Sequence, residues 1–373
     1  MIIKNVQIFT EDKYFEEGNI YIKDGVFVEP FEDENDVVIE GHGCYAIPGL
    51  VDVHFHGCVG HDFCDGTQEA IEKIAEYEAS QGITTIVPAT MTLSEEELMK
   101  IMTNAGEYKN EKGAILAGIN MEGPFICAAK KGAQAATHIR NASVEEFRKL
   151  QEASNGLIKL CDIAPEEDGA MEFIDAVKDE VNVSFAHTTA NYATAKEGYD
   201  RGACHATHLY NAMPAFAHRD PGVIGAARDS EHVMVELICD GIHIHPSTVR
   251  ATFSMFGDER VVMISDSMRA TGLSDGLYTL GGQDVKVVGK LATLVSDGAI
   301  AGSCTNLMDC VRTAVMEMDI PLETAIGCAT INAAKSVNLY DKYGSITPGK
   351  VANVVLLNFD LTTKEVILKG NKL

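Results

Sequence analysis

Eight short apolar runs separated by stretches of helical character constrain this 373-residue chain more than any other feature. They span residues 45–55, 83–89, 114–121, 158–163, 181–186, 203–209, 233–238 and 261–265. Helical patterns such as 67–80 and 94–106 lie between them. Apolar strands alternating with helices indicate βα units and a parallel sheet. Eight of them fit a closed (β/α)8 barrel better than an open, doubly wound sheet. The expected fold is therefore α/β, with a TIM-type barrel over 46–344.

Both chain ends read differently. Residues 2–10, 19–22, 26–29 and 37–40 are strand-like, punctuated by Gly18 and Asp24-Gly25. Residues 353–358 and 365–368 behave alike behind Pro348-Gly349. Segments 1–45 and 345–373 are thus expected to build one small β-sandwich domain together. A Gly-rich, alternating stretch at about 277–295 reads as a β-hairpin inserted before helix resumes at 306–318.

Composition narrows the function. Hydrophobic residues at 46% and charged residues at 23% match a soluble globular protein with a full core. A net charge of -25 repels nucleic acids and anionic membranes, so neither is an expected partner. It would also repel a phosphorylated ligand unless local donors offset it. The N-terminus lacks a signal-peptide pattern, and no apolar run approaches the ~20 residues of a membrane span. A cytoplasmic location is expected. The ten cysteines show no disulfide framework and read as buried thiols. Cys58 and Cys64 flank His61, where a thiolate metal site competes with ordinary packing.

The informative polar residues sit at the ends of the apolar runs, the end at which barrels carry their active sites. His54 and His56 close the first run, and side chains two apart on a strand share a face. Glu122 directly follows the third run, where an unpaired carboxylate is costly; the bland alternative is a solvated loop position before Gly123-Pro124. His187 and His208 end the fifth and sixth runs. Either alone reads as a satisfied core histidine; ending consecutive strands, they read as ligands. His205, three before His208, faces the other way and reads as structural. Asp266 ends the eighth run and can be a base, a ligand or a helix N-cap. His243 and His245 share a face by the two-residue spacing. Jointly, these residues offer nitrogen and oxygen ligands suited to Zn²⁺ or Fe²⁺. Such an ion makes hydroxide from bound water near neutral pH, and a nearby carboxylate can carry a proton to a leaving nitrogen. That chemistry hydrolyses an amide or related C–N bond.

The motifs PGLVDVHFHG, MEGPF, KKGA, FAHTTA, THLYNAMP, DGIHI, ISDSMRATG and AGS, with the C-terminal ATINAAKSVNLYDKYGSITPGKVANVVLLN, span nearly the whole chain. In these it resembles the amidohydrolase superfamily, and within it the N-acetylglucosamine-6-phosphate deacetylases. THLYNAMP with MEGPF is specific to the deacetylases; HxH and the C-terminal stretch mark only the superfamily. The resemblance implies that Glu122, His187 and His208 hold the main catalytic metal. It implies that His54 and His56 form a second-metal pair, giving one or two ions per subunit. Asp266 would be the general base and acid. Ala133 and Gln134, Asn211 and Ala212, His243, and the loop Thr305, Asn306, Leu307 and Met308 would contact an amino-sugar phosphate. Arg219 would bind its phosphate from the partner subunit of a homodimer.

Two departures stand out. The family usually has His where this chain has Gln134; Gln134 can donate a hydrogen bond but cannot be cationic. His138, four residues on, is a candidate substitute. Asn353 sits where the superfamily often has Asp. Competing functions are deacetylation of the galactosamine epimer, a dihydroorotase-like or D-aminoacylase-like activity, and a catalytically inactive barrel scaffold.

Overall fold

The computed structural model describes residues 1–31 and 37–373. Among them, eight parallel barrel strands follow in order. These are Leu50–Asp52, Ile83–Ile86, a broken third strand (Ile115–Leu116 and Ile119–Met121), Ile158–Ile163, Asn182–Phe185, His205–Ala206, Met234–Ile238 and Val261–Ile264. Each pairs in parallel with the next. The ring closes between its last and first members: Asp266 N–H donates to His54 O at 2.9 Å, and His56 N–H to Ser267 O at 2.7 Å. The α/β barrel expectation holds.

Helices follow the strands, and their starts are set by local chemistry. Thr67, Ser94 and Asn306, read as first helical residues, are N-caps whose side chains accept backbone N–H groups of the first turn. Ser94 and Glu97 complete a capping box. Val51, Val53, Val87, Leu160, Ile238, Val262 and Ile264 form a buried cluster with Ala333 and Ala334 of the helix Ile331–Ser336. Each large apolar side chain so enclosed contributes ~1.5–3 kcal/mol. That core fixes the strand ends on which the polar residues stand.

The two chain ends share one sheet. Val354–Leu357 pairs antiparallel with Tyr45–Pro48, which pairs parallel with Ile2–Phe9. The sheet curls back on itself: Val26 bridges Val351, and Phe27 N–H donates to Lys350 O at 2.9 Å. Ile3, Val6, Ile20, Phe27, Val354 and Ile367 fill the space enclosed. Pairing in this sheet continues to Pro48.

The insertion differs from the hairpin expected. It is a three-stranded antiparallel meander, Gly276–Leu280, Gln283–Val288 and Leu291–Leu294. A second tight turn at Gly289-Lys290, where Gly289 has φ 60°, adds the third strand. Its inner residues Leu280, Val285 and Val287 pack on Met91 and Met268, so the meander covers part of the barrel mouth.

Candidate metal centre and active site

Glu122 is the hub of the barrel mouth. Its Oε1 lies 2.9 Å from His187 Nε2 and 3.2 Å from His208 Nε2, and those two nitrogens are 3.3 Å apart. His56 Nε2 is 3.4 Å from Glu122 Oε2, and His54 Nε2 is 3.7 Å from Oε1. Asp266 Oδ1 stands 3.3 Å from His56 Nε2 and 3.9 Å from His54 Nε2. Candidate ligand atoms of His54, His56 and Glu122 all lie within 4.8 Å of one another, as do those of Glu122, His187 and His208. The five expected ligands and the expected base therefore meet in one place.

The backbone turns sharply to aim them. His187, His208 and Asp266 have φ of 45°, 31° and 50°. Left-handed backbone at non-glycine residues costs ~1–3 kcal/mol each and persists only where surroundings enforce it. Here they do. His187 Nδ1 bonds Lys130 O at 2.8 Å, and His208 N–H donates to Glu236 Oε2 at 3.0 Å. Asp266 is held by backbone bonds to His54 and Ser303. Gly123 is needed behind Glu122: its φ is 75°, and a Cβ there would lie 2.1 Å from Thr92 Oγ1. His54 and His56 lie just beyond their strand, with ring planes 82° apart, yet both face the cluster.

Burial pushes the Glu122 carboxyl up, but His54, His187 and His208 outweigh it and hold it well below the carboxylate range. Burial likewise raises Asp266, and His56 and His54 bring it below its ordinary value. Both are anions at neutral pH, as a ligand and a base must be. The donors also fit a metal on a separate ground. His54 Nε2 is wholly buried and has no hydrogen-bond partner, an expensive state that a cation at the cluster would relieve. Imidazole and carboxylate together suit a divalent ion.

A cavity of about 410 Å³ opens onto this cluster. His56, Glu122, His187, His208 and Asp266 reach it, as do Ala133, Gln134, Asn211, Ala212 and His243. Gln134 is clamped: Oε1 accepts Thr92 N–H at 2.7 Å, and Nε2 donates to Glu122 Oε2 at 2.8 Å. His138 does not replace it; it lies off the cavity wall, near Glu97. His205 is buried against Ser184 Oγ at 3.0 Å, away from the cavity.

Other expectations fall elsewhere. Thr305, Asn306, Leu307 and Met308 do not line the cavity. Asn306 caps the helix Leu307–Met318, which turns Leu307 and Met308 into the core. His245 caps the helix Pro246–Phe256 instead of sharing a face with His243, because the chain is no longer a strand there. Arg219 is exposed on a loop and does not line its own subunit's cavity. Cys58 packs with its sulfur towards Ile74 O, and Cys64 accepts Met91 N–H. Burial raises both thiols, and among the described residues neither joins a metal-type cluster.

Sequence reasoning missed three residues. Lys130 is the one Lys or Arg lining the cavity among the described residues. Asp240 Oδ2 bonds His243 Nδ1 at 2.7 Å and fixes that ring. Glu236, fully buried, bonds His54 Nδ1 at 3.0 Å. A carboxylate inside the apolar run of 233–238 was its available signal.

The amidohydrolase family model matches residues 45–373. The chain belongs to the amidohydrolase family. It is 36% identical over 385 residues to an N-acetylglucosamine-6-phosphate deacetylase from Bacillus subtilis, covering 100% of this chain and 96% of that one. It is 29% identical to an N-acetylgalactosamine-6-phosphate deacetylase from Escherichia coli O157:H7, over 99% of this chain and 98% of that one. A mutant N-acetyl-D-glucosamine-6-phosphate deacetylase from Mycobacterium smegmatis, solved in complex with N-acetyl-D-glucosamine-6-phosphate, superposes with a TM-score of 0.92 at 29% identity. That match covers 100% of this chain and 98% of the other.

Proposed function

We propose that this amidohydrolase removes the acetyl group of N-acetyl-D-glucosamine 6-phosphate. The products are D-glucosamine 6-phosphate and acetate, in amino-sugar catabolism or cell-wall sugar recycling. The meeting of Glu122, His187, His208 and Asp266 at the floor of one cavity carries this reading. The deacetylase relatives favour it over the dihydroorotase-like, D-aminoacylase-like and scaffold alternatives.

Glu122, His187 and His208 would hold the principal ion, and His54 and His56 a second beside Asp266. Zinc is our assignment, with ferrous iron the alternative. When bound, such an ion activates water and polarises a carbonyl. Asp266 accepts the proton of the attacking water and returns it to the sugar nitrogen as the C–N bond breaks. Gln134 keeps Glu122 oriented. His243, steadied by Asp240, faces the sugar. Asn211 and Ala212 receive the phosphate, and Lys130 offsets its charge within the subunit. Arg219, turned away from its own cavity, reaches the site of a homodimer partner; a guanidinium grips phosphate through paired hydrogen bonds. Thr305, Asn306, Leu307 and Met308 support the wall from behind. We divide the chain into a terminal β domain (1–45 and 345–373) and the barrel (46–344), and assign it to the cytoplasm; among the described residues no helix is long and apolar enough to cross a membrane.

Acetate release from N-acetylglucosamine 6-phosphate, its galactosamine epimer and unphosphorylated N-acetylglucosamine tests the reading. The glucosamine phosphate should be the best substrate. Faster turnover of the epimer would move the assignment to the galactosamine enzyme; none on either phosphate would reject it.

A further inference from the structure

Glu236 stands on the seventh barrel strand, Met234–Ile238, with its side chain fully buried. A single oxygen, Oε2, makes two contacts with the metal cluster. It lies 3.0 Å from His54 Nδ1, and it accepts the backbone N–H of His208 at 3.0 Å. His54 belongs to the HxH pair that groups with Glu122, whereas His208 groups with His187 at the same carboxylate.

The first contact selects the His54 tautomer. With Nδ1 carrying its proton towards Glu236, the Nε2 lone pair is left bare, and Nε2 is the buried nitrogen without a hydrogen-bond partner that points at Glu122. The second contact braces His208 where its φ of 31° strains the chain. A carboxylate wholly inside a barrel is costly unless its lone pairs are used; those of Oε2 are used on the two halves of one ligand set, whereas Oε1, 3.9 Å from His205 Nδ1, has no hydrogen-bond partner.

We propose that Glu236 is the positioning residue of the His54/His56 half of the site, fixing His54 as a ligand so that the chain holds a second ion. This rests on the metal-dependent reading above. Loss of such an outer partner typically weakens metal affinity ~10–100-fold.

The test titrates zinc alone into metal-stripped wild-type protein, Glu236→Met and Glu236→Gln, counting ions per subunit after dialysis. Far-UV circular dichroism verifies folding. Wild type should retain two ions. Glu236→Met should retain one and bind the other ~10–100-fold more weakly. Glu236→Gln, which keeps an accepting oxygen, should lie between. Two ions bound at wild-type affinity by folded Glu236→Met would overturn the proposal and leave the deacetylase reading intact. A wild type that holds no ion would overturn both. If Glu236→Met does not fold, ¹⁵N-histidine NMR of zinc-loaded wild type decides. A proton on His54 Nδ1 supports the proposal; a bare Nδ1 overturns it.

Discussion

His187 and His208 stand 21 residues apart in the chain, yet their Nε2 atoms are 3.3 Å from each other and both meet one oxygen of Glu122. Two consecutive barrel strands bring them together, and each strand is followed by a left-handed residue whose imidazole meets Glu122. Like donors crowded this closely are arranged for a cation.

Asp266 is the group asked to move protons. Asp266→Asn keeps the shape and removes the base. Acetate release should fall by ~10²–10⁴-fold while metal analysis shows the principal ion retained. Wild-type turnover in the variant would remove Asp266 from the mechanism.

Lys130 and Arg219 address the phosphate from different subunits in our reading. Charge-assisted hydrogen bonds are worth roughly 1.5–3 kcal/mol, so Lys130→Met and Arg219→Ala should each raise KM for the phosphorylated sugar roughly 10–100-fold. Neither should change KM for unphosphorylated N-acetylglucosamine. Equal effects on both sugars would show that these cations do not read the phosphate.

Gln134 joins Thr92 N–H to Glu122 Oε2 inside the protein. Gln134→Leu leaves both partners buried without it, at a cost of ~1–3 kcal/mol. Denaturant unfolding of the metal-free protein should show that loss. An unchanged midpoint would mean that water or a shifted side chain replaces the amide.

The terminal β domain carries an acid-sensitive contact. Glu11 Oε1 accepts from Tyr340 Oη at 2.8 Å and Ser345 Oγ at 2.9 Å, with Lys350 Nζ 3.6 Å away. Partial burial raises this carboxyl, but those hydroxyls, Thr347 and Lys350 together lower it from 4.5 to about 2. A depressed carboxyl stabilises the fold above its unfolded value and loses that contribution as pH falls towards the folded one. The Tm gap between wild type and Glu11→Gln should therefore be full at pH 7 and shrink between about 4.5 and about 2. A gap independent of pH would contradict this.

Much of this was legible because a barrel puts chemistry at strand ends. His54, His56, Glu122, His187, His208 and Asp266 all end apolar runs, so the pattern of runs located them. Glu236 was hidden by the same logic, since it lies within a run that otherwise reads as uniformly apolar. The left-handed turns at His187, His208 and Asp266 have no signature in residue type. Thr305 to Met308 were placed near substrate by likeness of sequence. Helix register puts the side chains of Leu307 and Met308 on the buried face, with Asn306 as N-cap. The inserted meander shows how one further Gly-containing turn adds a strand.

The central claim is that Glu122, His187 and His208 jointly hold an ion without which the acetamide is not cleaved. The direct measurement is acetate release from N-acetylglucosamine 6-phosphate by protein as purified, after exhaustive chelation, and after zinc or ferrous iron is restored, with ions per subunit counted at each stage. The account predicts that turnover disappears with the metal and returns with it in wild type, and that Glu122→Gln binds metal weakly and stays inactive. Undiminished acetate release from metal-free protein would contradict it.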